Sequence, residues 1–324
     1  MVKSTFVIKS VALILIAALL CAACLVSLAA CKKKGGTEDS VGNSSETTVD
    51  ERQTAGKEYV LDPDRKLVLL MAVDEGKYTV DGHELEGGRA VAIFIASIDA
   101  ANEKIDMIQL DQNTIAEMRT FNHYGLSEGS ATAQLALAYA YGDGGTESGQ
   151  NVLSAVKKLT GLPLSSYVAV KSSAMPALSQ LSGPVTVTLS ADQTKINPAY
   201  TKGSTVTLQT SEFEDFLKET GAGFGANQKR MARMRDFMPA FFAALASKKD
   251  QTEDQVSSLK NNLQYNLTDA ELIKLLKDCA EYTMNDIVTP AGETQAVGDA
   301  LEFTIDNDSL NQILIDTCFK VKGN

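Results

Sequence analysis

Runs of apolar residues bounded by polar turns predict a series of buried strands. Residues 66–73 (KLVLLMAV) are almost continuously apolar and end at Asp74, as expected for a central strand buried on both faces. Two more strands are predicted over 90–99 (AVAIFIASID) and 105–111 (IDMIQLD), the latter mainly from its β-branched residues. Shorter runs predict strands at 167–171, 185–190, 205–209 and 301–305.

Apolar residues at helical spacing predict helices between and after these strands. The predicted helices are 130–141, 149–159, 174–181, 212–220, 228–247, 251–263, 268–283 and a closing helix that begins at Asp308. Strands and helices alternate without an internal repeat or a Pro-rich linker. The pattern therefore predicts one α/β domain over residues 59–324, a three-layer α/β/α arrangement around a central mixed sheet.

The first thirty residues have the pattern of an export signal. Lys3 and Lys9 precede an apolar run over 11–30, and small residues stand directly before Cys31. This order is typical of a signal peptide over 1–30, here with a lipobox-like end that predicts lipid on the Cys31 sulfur. The alternative is an uncleaved transmembrane anchor, since about 20 apolar residues can span a bilayer. The lysines at 32–34 count against a span, because positive charge accumulates on the cytoplasmic side.

The interpretation places the remaining chain on the outer face of a bacterial cytoplasmic membrane. Residues 31–58 contain Gly, Ser, Thr and acidic residues with few large apolar ones, which predicts a disordered, lipid-anchored tether. Without the signal the chain has 28 basic and 41 acidic residues, a net charge of −13. That balance argues against general nucleic-acid binding, which depends on cationic contacts to phosphate.

Cysteine and histidine usage excludes several kinds of site. Cys279 and Cys318 are left after maturation, and the sequence allows either a disulfide between them or two buried thiols. His83 and His123 stand alone in loop-like surroundings. No metal-ligand spacing is present, so a zinc or nucleophilic cysteine site is not expected.

Several segments, taken in order, resemble a known family. They are the strand ending at Asp74, AVAIFIASIDAANEKIDMIQLDQNT, LALAYAYGDGG, LTGLPLSSYVAV, LSGPVTVTL, RMARMRDFMPAFFAAL and LEFTIDNDSLNQIL. Together they resemble the LytR–CpsA–Psr family of cell-envelope proteins, from about residue 66 to about residue 319.

The resemblance implies the transfer of a glycopolymer from a polyprenyl-pyrophosphate carrier to peptidoglycan. It also implies an α/β/α domain with an apolar pocket for the lipid, acidic residues that hold Mg²⁺ and arginines that hold the pyrophosphate. These residue types suit the chemistry, because the departing pyrophosphate carries concentrated negative charge that a metal and guanidinium donors stabilise.

The sequence departs from the family pattern at several of these positions. Gln112-Asn113 stands where the family has an Arg-Asp pair, and Val91 (Ala90, if the alignment slips by one) stands where it has an aspartate. The remaining departures are Lys218 and Thr220 in place of arginines, Asn227 in place of an aspartate and Met234 in place of a glutamine. Each change removes a charge, a metal ligand or a planar donor, so we expect catalysis to be weak or absent.

The resemblance leaves Asp74, Arg230 and Arg233 in place. Arg230 and Arg233 are expected to share a helix face near its start and to bind phosphate, with Arg235 close by; the alternative is a solvated basic helix start. Asp74 is either a Mg²⁺ ligand or a turn residue that ends its strand. The sequence further predicts an apolar stripe, as a lipid pocket or plain core, at Phe237, Phe241, Phe242 and Leu245. Four carboxylates are expected to be surface or capping groups: Asp106, Asp111, Asp306 and Asp308.

Two functions are consistent with the sequence. The first is a lipoprotein of this family at the cell surface, which binds a polyprenyl (pyro)phosphate-linked glycan and for which peptidoglycan is a second candidate partner. The alternative is a solute-binding lipoprotein of a membrane importer, which would have two lobes and a hinge. No mid-chain hinge is visible in the sequence, so the first interpretation is favoured.

The lipobox interpretation predicts that Cys31→Ala abolishes lipidation. A fatty-acid label should enter the wild-type protein and be absent from the variant, because the sulfur that accepts the lipid has been removed. Cys24→Ala, which removes the competing cysteine of the same apolar run, is the matched control and should keep the label. Label incorporation and membrane fractionation measure both; the reverse result would place the anchor on Cys24.

Overall fold

The computed structural model describes residues 51–54, 56–80, 83–85, 87–121, 127–218, 223–247, 262–298 and 300–323. The predicted export signal and Cys31 lie outside the described residues, as do His123, Thr220 and most of the predicted helix 251–263. Within the described residues, no helix combines the length and the apolar character needed to cross a bilayer.

Six strands form a central mixed sheet. From one edge to the other they are β13 (Leu263–Tyr265), β10 (Tyr167–Lys171), β3 (Arg65–Asp74), β6 (Arg89–Asp99), β7 (Lys104–Leu110) and β14 (Thr283–Met284). The β10–β3 and β7–β14 pairs are parallel, and the other three pairs are antiparallel. This confirms the predicted mixed sheet, and its central strands are those with the longest apolar runs.

Helices cover both faces of this sheet, as the three-layer prediction requires. One face carries α1 (Leu137–Ala140), α2 (Thr146–Thr160) and α7 (Asn307–Cys318), and the other carries α5 (Ala226–Ser247) and α6 (Asp269–Glu281). Val152 and Leu314 belong to the core on the first face, and Met234 and Leu272 to the core on the second. Since burial of apolar surface stabilises each layer, the sheet fixes α5 and α6 side by side.

A third apolar cluster lies beside the sheet and includes part of the predicted stripe. It is built from β11 (Val185–Thr188), β12 (Thr205–Leu208), α3 (Met175–Ser182), α4 (Phe213–Leu217) and one side of α5. Phe237 and Phe241 are buried there, and the rings of Phe213 and Phe237 pack edge to face with centroids 5.0 Å apart. Phe242 packs instead against the core under the sheet. The stripe therefore serves two cores, while the side chain of Leu245 lies outside the described residues.

The described residues begin with a strand at Glu51, inside the segment that the sequence assigns to the tether. A hairpin of β1 (Glu51–Thr54) and β2 (Lys57–Leu61) pairs with β17 (Phe319–Val321). The guanidinium of Arg52 donates at 2.5 Å to Asn311 Oδ1 and at 2.5 Å to the Thr160 carbonyl oxygen. It also lies 5.0 Å from the ring centroid of Phe319. These long-range contacts hold a polar segment that composition alone assigns to a tether.

The predicted helix 130–141 is wrong over most of its length. Residues Ser127–Gln134 form β9, which pairs with β8 (Ile115–Phe121), and only α1 remains helical. The alanines of this segment favour a helix in isolation, but Ala131 and Ala133 lie opposite the buried residues Met118 and Ala116.

Two further hairpins complete the fold: β4 (Tyr78–Val80) with β5 (His83–Leu85), and β15 (Gly292–Val297) with β16 (Ala300–Ile305). His83 thus lies in a strand.

Side chains near the C-terminus bear on the predicted roles of the cysteines and the carboxylates. Cys318 is a buried free thiol whose pKa is raised by burial, and the side chain of Cys279 lies outside the described residues. Asp306 caps α7, since its Oδ1 accepts from the backbone N–H groups of Asp308 and Ser309 at 2.9 and 3.0 Å. Asp106 accepts from Arg65 Nη1 at 2.5 Å, so it is an ion-pair partner.

The Arg52 contacts predict that Arg52→Ala destabilises the whole domain. We expect a loss of about 2–3 kcal/mol, because two charge-assisted hydrogen bonds and a ring contact disappear together. Arg119, an exposed residue 5.2 Å from the Phe121 ring centroid, provides a matched control. Arg119→Ala should cost under about 1 kcal/mol. Urea unfolding measures both losses of stability. Equal losses would refute the stabilising role given to the Arg52 contacts.

Candidate functional site

A polar edge is formed where β3 ends and β6 begins. The strand register places Asp74 opposite Arg89, just beyond a β-bulge between Ala72 and Val73. Asp74 Oδ1 accepts from the Gly76 backbone N–H at 3.2 Å, so this carboxylate also forms the turn that ends its strand. The sequence pattern did not single out Arg89, which stands one residue before the strand predicted over 90–99.

The backbone at this edge is packed too closely for a side chain. Gly88 has φ +82°, and a Cβ added to it would lie 2.4 Å from the Asp74 carbonyl oxygen. Gly87 is confined in the same way, with an added Cβ 2.9 Å from the Tyr139 carbonyl oxygen of α1. The two glycines let the segment before β6 pass between the end of β3 and α1.

Beside Asp74, Glu75 connects the end of β3 with the segment that follows β10. Its Oε2 accepts from the Ser173 backbone N–H at 3.1 Å, and its Oε1 lies 3.7 Å from Lys171 Nζ. Partial burial raises the pKa of Glu75, but the Ser173 hydrogen bonds and the Lys171 charge outweigh this effect and hold the pKa below its usual value. Glu75 is therefore a carboxylate that ties two strand ends together.

Asp111 lies at the centre of a buried polar network, which corrects its assignment as a surface carboxylate. It follows β7 directly and is only 4% exposed. Its Oδ1 accepts from Asn227 Nδ2 at 2.6 Å and from the Asn113 backbone N–H at 2.8 Å. Its Oδ2 accepts from Gln228 Nε2 at 3.3 Å. Three N–H donors therefore face this buried carboxylate and offset part of the cost of its burial.

Asn227 joins this carboxylate to an arginine. While its Nδ2 donates to Asp111, its Oδ1 accepts from Arg230 Nη2 at 2.8 Å and Nε at 3.3 Å. Arg230 Nη2 also donates to the Val91 carbonyl oxygen at 2.5 Å. Both side chains are almost fully buried, at 2% exposed for Asn227 and 4% for Arg230. The start of α5 is therefore not a solvated basic helix end.

The two positions of the lost Arg-Asp pair lie in the loop after β7. Gln112 is 5% exposed, and its backbone carbonyl accepts from the Ala136 N–H at 2.9 Å. Asn113 is half-buried, and its backbone carbonyl accepts from the Phe303 N–H at 2.9 Å. Both are thus held by the protein next to Asp111, with neutral amides where the family resemblance implies charges.

Arg233 points away from Arg230 and binds the end of α4. It is 0% exposed and donates from Nε to the Phe216 carbonyl oxygen and from Nη2 to the Lys218 carbonyl oxygen, each at 2.5 Å. Its Nη1 donates to Gln193 Oε1 at 2.8 Å. Lys218 takes part through its backbone, and its side chain is exposed. The two arginines therefore hold different elements, and substrate binding by Arg230, Arg233 and Lys218 stays a prediction.

Helical spacing drew attention to Arg235 but gave no sign of its contact with the sheet. Arg235 is half-buried, and its Nη1 donates to Gln109 Oε1 of β7 at 2.9 Å. Burial lowers the pKa of this guanidinium, while the neighbouring Asp236 raises it. Gln109 stands two residues before Asp111 on the same side of β7, so strand alternation places both on the α5 side of the sheet. Asp111 and Asp74 each stand at the end of an apolar run in the sequence, so this pattern does not distinguish the two positions.

The donor set around Asp111 fits a metal ion poorly. Among the described residues, no group of three or more His, Cys, Asp or Glu side chains is positioned to hold one. Asp111 is surrounded by N–H donors, and Asn227 turns its amide nitrogen toward it. Since Mg²⁺ requires oxygen ligands, Asp111 does not supply this site. A Mg²⁺ role for Asp74 stays a prediction.

Comparisons with known proteins agree on one family and one fold. The chain matches the LytR_cpsA_psr family over residues 32–316. Among solved structures it is similar to Lin1025 from Listeria innocua (TM-score 0.54, 17% identity, 79% of this chain and 98% of that one). It is also similar to TagV from B. subtilis (TM-score 0.55, 18% identity, 78% and 95%). The structure of TagT bound to LIIa-WTA has TM-score 0.57 and 17% identity, over 79% and 91% of the chains.

At such low identity these structures establish a shared fold and no more. No curated protein matches the sequence of this chain.

The network predicts that Asn227→Asp destabilises the protein. The variant removes the donor to Asp111 and sets a second carboxylate against it, with an expected loss of about 1–3 kcal/mol at pH 7. Repulsion raises the folded-state pKa of the carboxyl pair above its unfolded value. The loss should therefore shrink as the pH falls below about 5 and the pair takes up a proton.

Asn102→Asp is the matched control, because Asn102 Nδ2 also donates to a carboxylate, Asp99 Oδ2, at 2.8 Å but from an exposed turn. Its loss should stay under about 1 kcal/mol. Thermal unfolding across pH 4–8 measures both variants. A pH-independent loss at Asn227, or equal losses at the two positions, would refute the role given to Asp111.

Proposed function

This chain belongs to the LytR–CpsA–Psr family, and we propose that it is a lipid-anchored surface protein that binds a polyprenyl (pyro)phosphate-linked glycan during cell-wall glycopolymer assembly. Its own transferase activity is weak or absent. The anchor rests on the lipobox pattern before Cys31, and the ligand class rests on the family and its neighbours. The complex of TagT with LIIa-WTA supports that class for a protein of the same fold.

One observation carries the low-activity part of the proposal: Arg230 and Asp111 are both hydrogen-bonded within the protein. Arg230 donates to Asn227 and to the Val91 carbonyl, and Asp111 accepts three N–H groups of the protein. A catalytic phosphoryl site needs positive charge directed at the atoms that gain negative charge. Here the neighbouring loop positions are the neutral side chains Gln112 and Asn113.

The energetic consequence is larger for turnover than for binding. Removing one preorganised donor from such a site typically costs about 3–4 kcal/mol of barrier, or about 10²–10³ in rate. Binding of an amphiphilic carrier draws mainly on apolar burial, at about 25 cal/mol per Å². A protein that has lost its reactive charges and kept its apolar layers therefore loses catalysis before it loses its ligand.

The alternative function, solute binding for an importer, predicts two lobes with a cleft between them. The described residues have one main sheet of six strands with helices on both faces. The family match over residues 32–316 also favours the first interpretation. Peptidoglycan as the acceptor remains an expectation of the family resemblance.

Restoring the family charges tests the proposal. The double variant Gln112→Arg and Asn113→Asp should raise turnover of a polyprenyl-pyrophosphate-linked glycan at least about 10-fold in the presence of Mg²⁺. The control is Gln312→Arg, the same exchange at an exposed position of α7, which should leave turnover unchanged. Product release from full-length protein in detergent is measured beside an intact family member.

Wild-type turnover equal to that of the intact member would refute the low-activity claim. Binding is measured separately with a fluorescent polyprenyl phosphate, since the chain has no tryptophan to report it. Failure of the wild-type protein to bind would refute the ligand class.

A further inference from the structure

Arg235 and Gln109 form a contact between α5 and β7 in which donors outnumber acceptors. A guanidinium carries five N–H groups. Among the described residues, the hydrogen bond of Arg235 is the one from Nη1 to Gln109 Oε1, at 2.9 Å. Because polar groups in a half-buried position are normally hydrogen-bonded, the remaining N–H groups have capacity for another acceptor.

The side-chain NH₂ group of Gln109 is a second donor, and it has only a weak acceptor nearby. It is only 1% exposed, and its Nε2 lies 3.8 Å from the thioether sulfur of Met234, a weak acceptor. With its Oε1 engaged by Arg235, the amide orientation is defined by this network, and the NH₂ group is the one left without an oxygen acceptor among the described residues. A nearly buried amide in this state has unused capacity to donate to an oxygen acceptor.

The backbone around Gln109 holds this pair rigidly. The Gln109 N–H donates to the Val288 carbonyl oxygen at 2.8 Å, and the Gln109 carbonyl accepts from Thr289 Oγ1 at 2.6 Å. On the helix side, Met234 belongs to the apolar core under the sheet, together with Ile287. The donors are therefore fixed in place before any ligand arrives.

The nearest carboxylate does not occupy this position. Asp236 follows Arg235 in the chain, but its Oδ2 accepts from the Ser190 backbone N–H at 2.9 Å, next to β11. A step of one residue turns a helix by about 100°, so the two side chains leave α5 in different directions. The surplus N–H groups are thus not neutralised by a hydrogen bond to Asp236.

We infer that Arg235 and Gln109 form an oxyanion-binding pair that takes a phosphoryl group. Three oxygens on one tetrahedral centre match a planar guanidinium and an adjacent amide, and Arg is the side chain best suited to bidentate contact with phosphate. The inference rests on the proposed function for its ligand, an isoprenoid phosphate. The pair itself would bind a free phosphate or pyrophosphate by the same chemistry. Arg235 offers its cation to a ligand, whereas the guanidinium of Arg230 is hydrogen-bonded to the Val91 carbonyl oxygen and to Asn227.

The test compares Arg235→Gln with Lys229→Gln in the full-length protein. Lys229 is an exposed residue of the same helix, so both variants lose one positive charge and only one loses the pair. Dissociation constants are measured by calorimetry for three probes: a polyprenyl phosphate in detergent, the matching polyprenyl alcohol and inorganic pyrophosphate.

We expect Arg235→Gln to weaken binding of polyprenyl phosphate and of pyrophosphate at least 10-fold and to leave the affinity for the alcohol unchanged. Lys229→Gln should bind all three probes like the wild type. Arg235→Lys should give an intermediate loss for both phosphate probes, because charge is kept and the planar fork is lost. Gln109→Met, of similar size without an N–H donor, should weaken both phosphate probes at least threefold and serves if Arg235→Gln does not fold.

The other outcomes separate the two proposals. Wild-type affinity for both phosphate probes in folded Arg235→Gln overturns this inference and leaves the proposed function standing. An equal loss in Lys229→Gln also overturns it, because general charge would then explain the effect. If pyrophosphate binds through Arg235 and no polyprenyl probe binds, the pair is supported and the proposed function fails. If the wild-type protein binds no phosphate probe, both are overturned.

Discussion

A burial constraint governs the long helix α5: three of its arginines face other elements of the protein, and a guanidinium removed from water needs acceptors there. Arg230 finds them at the start of β6 and in Asn227, Arg233 at the end of α4, and Arg235 in Gln109 of β7. Three charge-assisted contacts with three elements fix the helix in one position. The polar edge of the sheet depends on that position, because Asn227 reaches Asp111 only when α5 lies across β7.

The same constraint explains why the neutral substitutions form a consistent set. An aspartate in place of Asn227 would bind Arg230 well but would repel Asp111, so the amide is the side chain that serves both neighbours. Its nitrogen faces the carboxylate and its oxygen faces the guanidinium. Asp111, Asn227 and Arg230 therefore form one network of internal hydrogen bonds. Such a network stabilises one packing of the helix and leaves less charge available to a substrate.

Strong hydrophobic patterning made the centre of the fold predictable. The strands β3, β6 and β7 were expected within one residue of their observed ends, because a strand buried on both faces leaves a continuous apolar run. The alanine-rich segment at β9 was mistaken for helix because its partner β8, a strand of mixed polarity, decides its conformation. Local propensity is a weak signal where pairing supplies the burial.

The candidate site was predictable by position and not by contact. Asp74 and Asp111 both follow apolar strands, and the sequence offers no reason why one is partly exposed and the other buried beneath α5. Arg230 and Arg233, three residues apart, were expected to act together on one face. Their partners come from β6 and from α4, elements far apart in the chain, so the directions of the two side chains depend on tertiary packing. Helical spacing alone carries no such information.

The attachment of the predicted tether constrains how the polar edge meets a membrane. Glu51 pairs with Val60 beside the start of β3, whereas Asp74 ends that strand. The ten residues of β3 separate these ends by about 33 Å. Nineteen residues stand between Cys31 and Glu51; as the random coil that their composition predicts, they would have a root-mean-square length of about 25 Å.

A relaxed tether of that length is shorter than the domain, so in the proposed lipoprotein the polar edge points away from the bilayer on average. Fully extended, the same residues span about 60 Å, enough to let the domain turn over and meet a lipid-linked headgroup. That extension costs chain entropy, which subtracts from the roughly 8 kcal/mol of a micromolar complex. In the proposed lipoprotein, engagement of a membrane-bound ligand therefore depends on tether length as well as on the chemistry of the site.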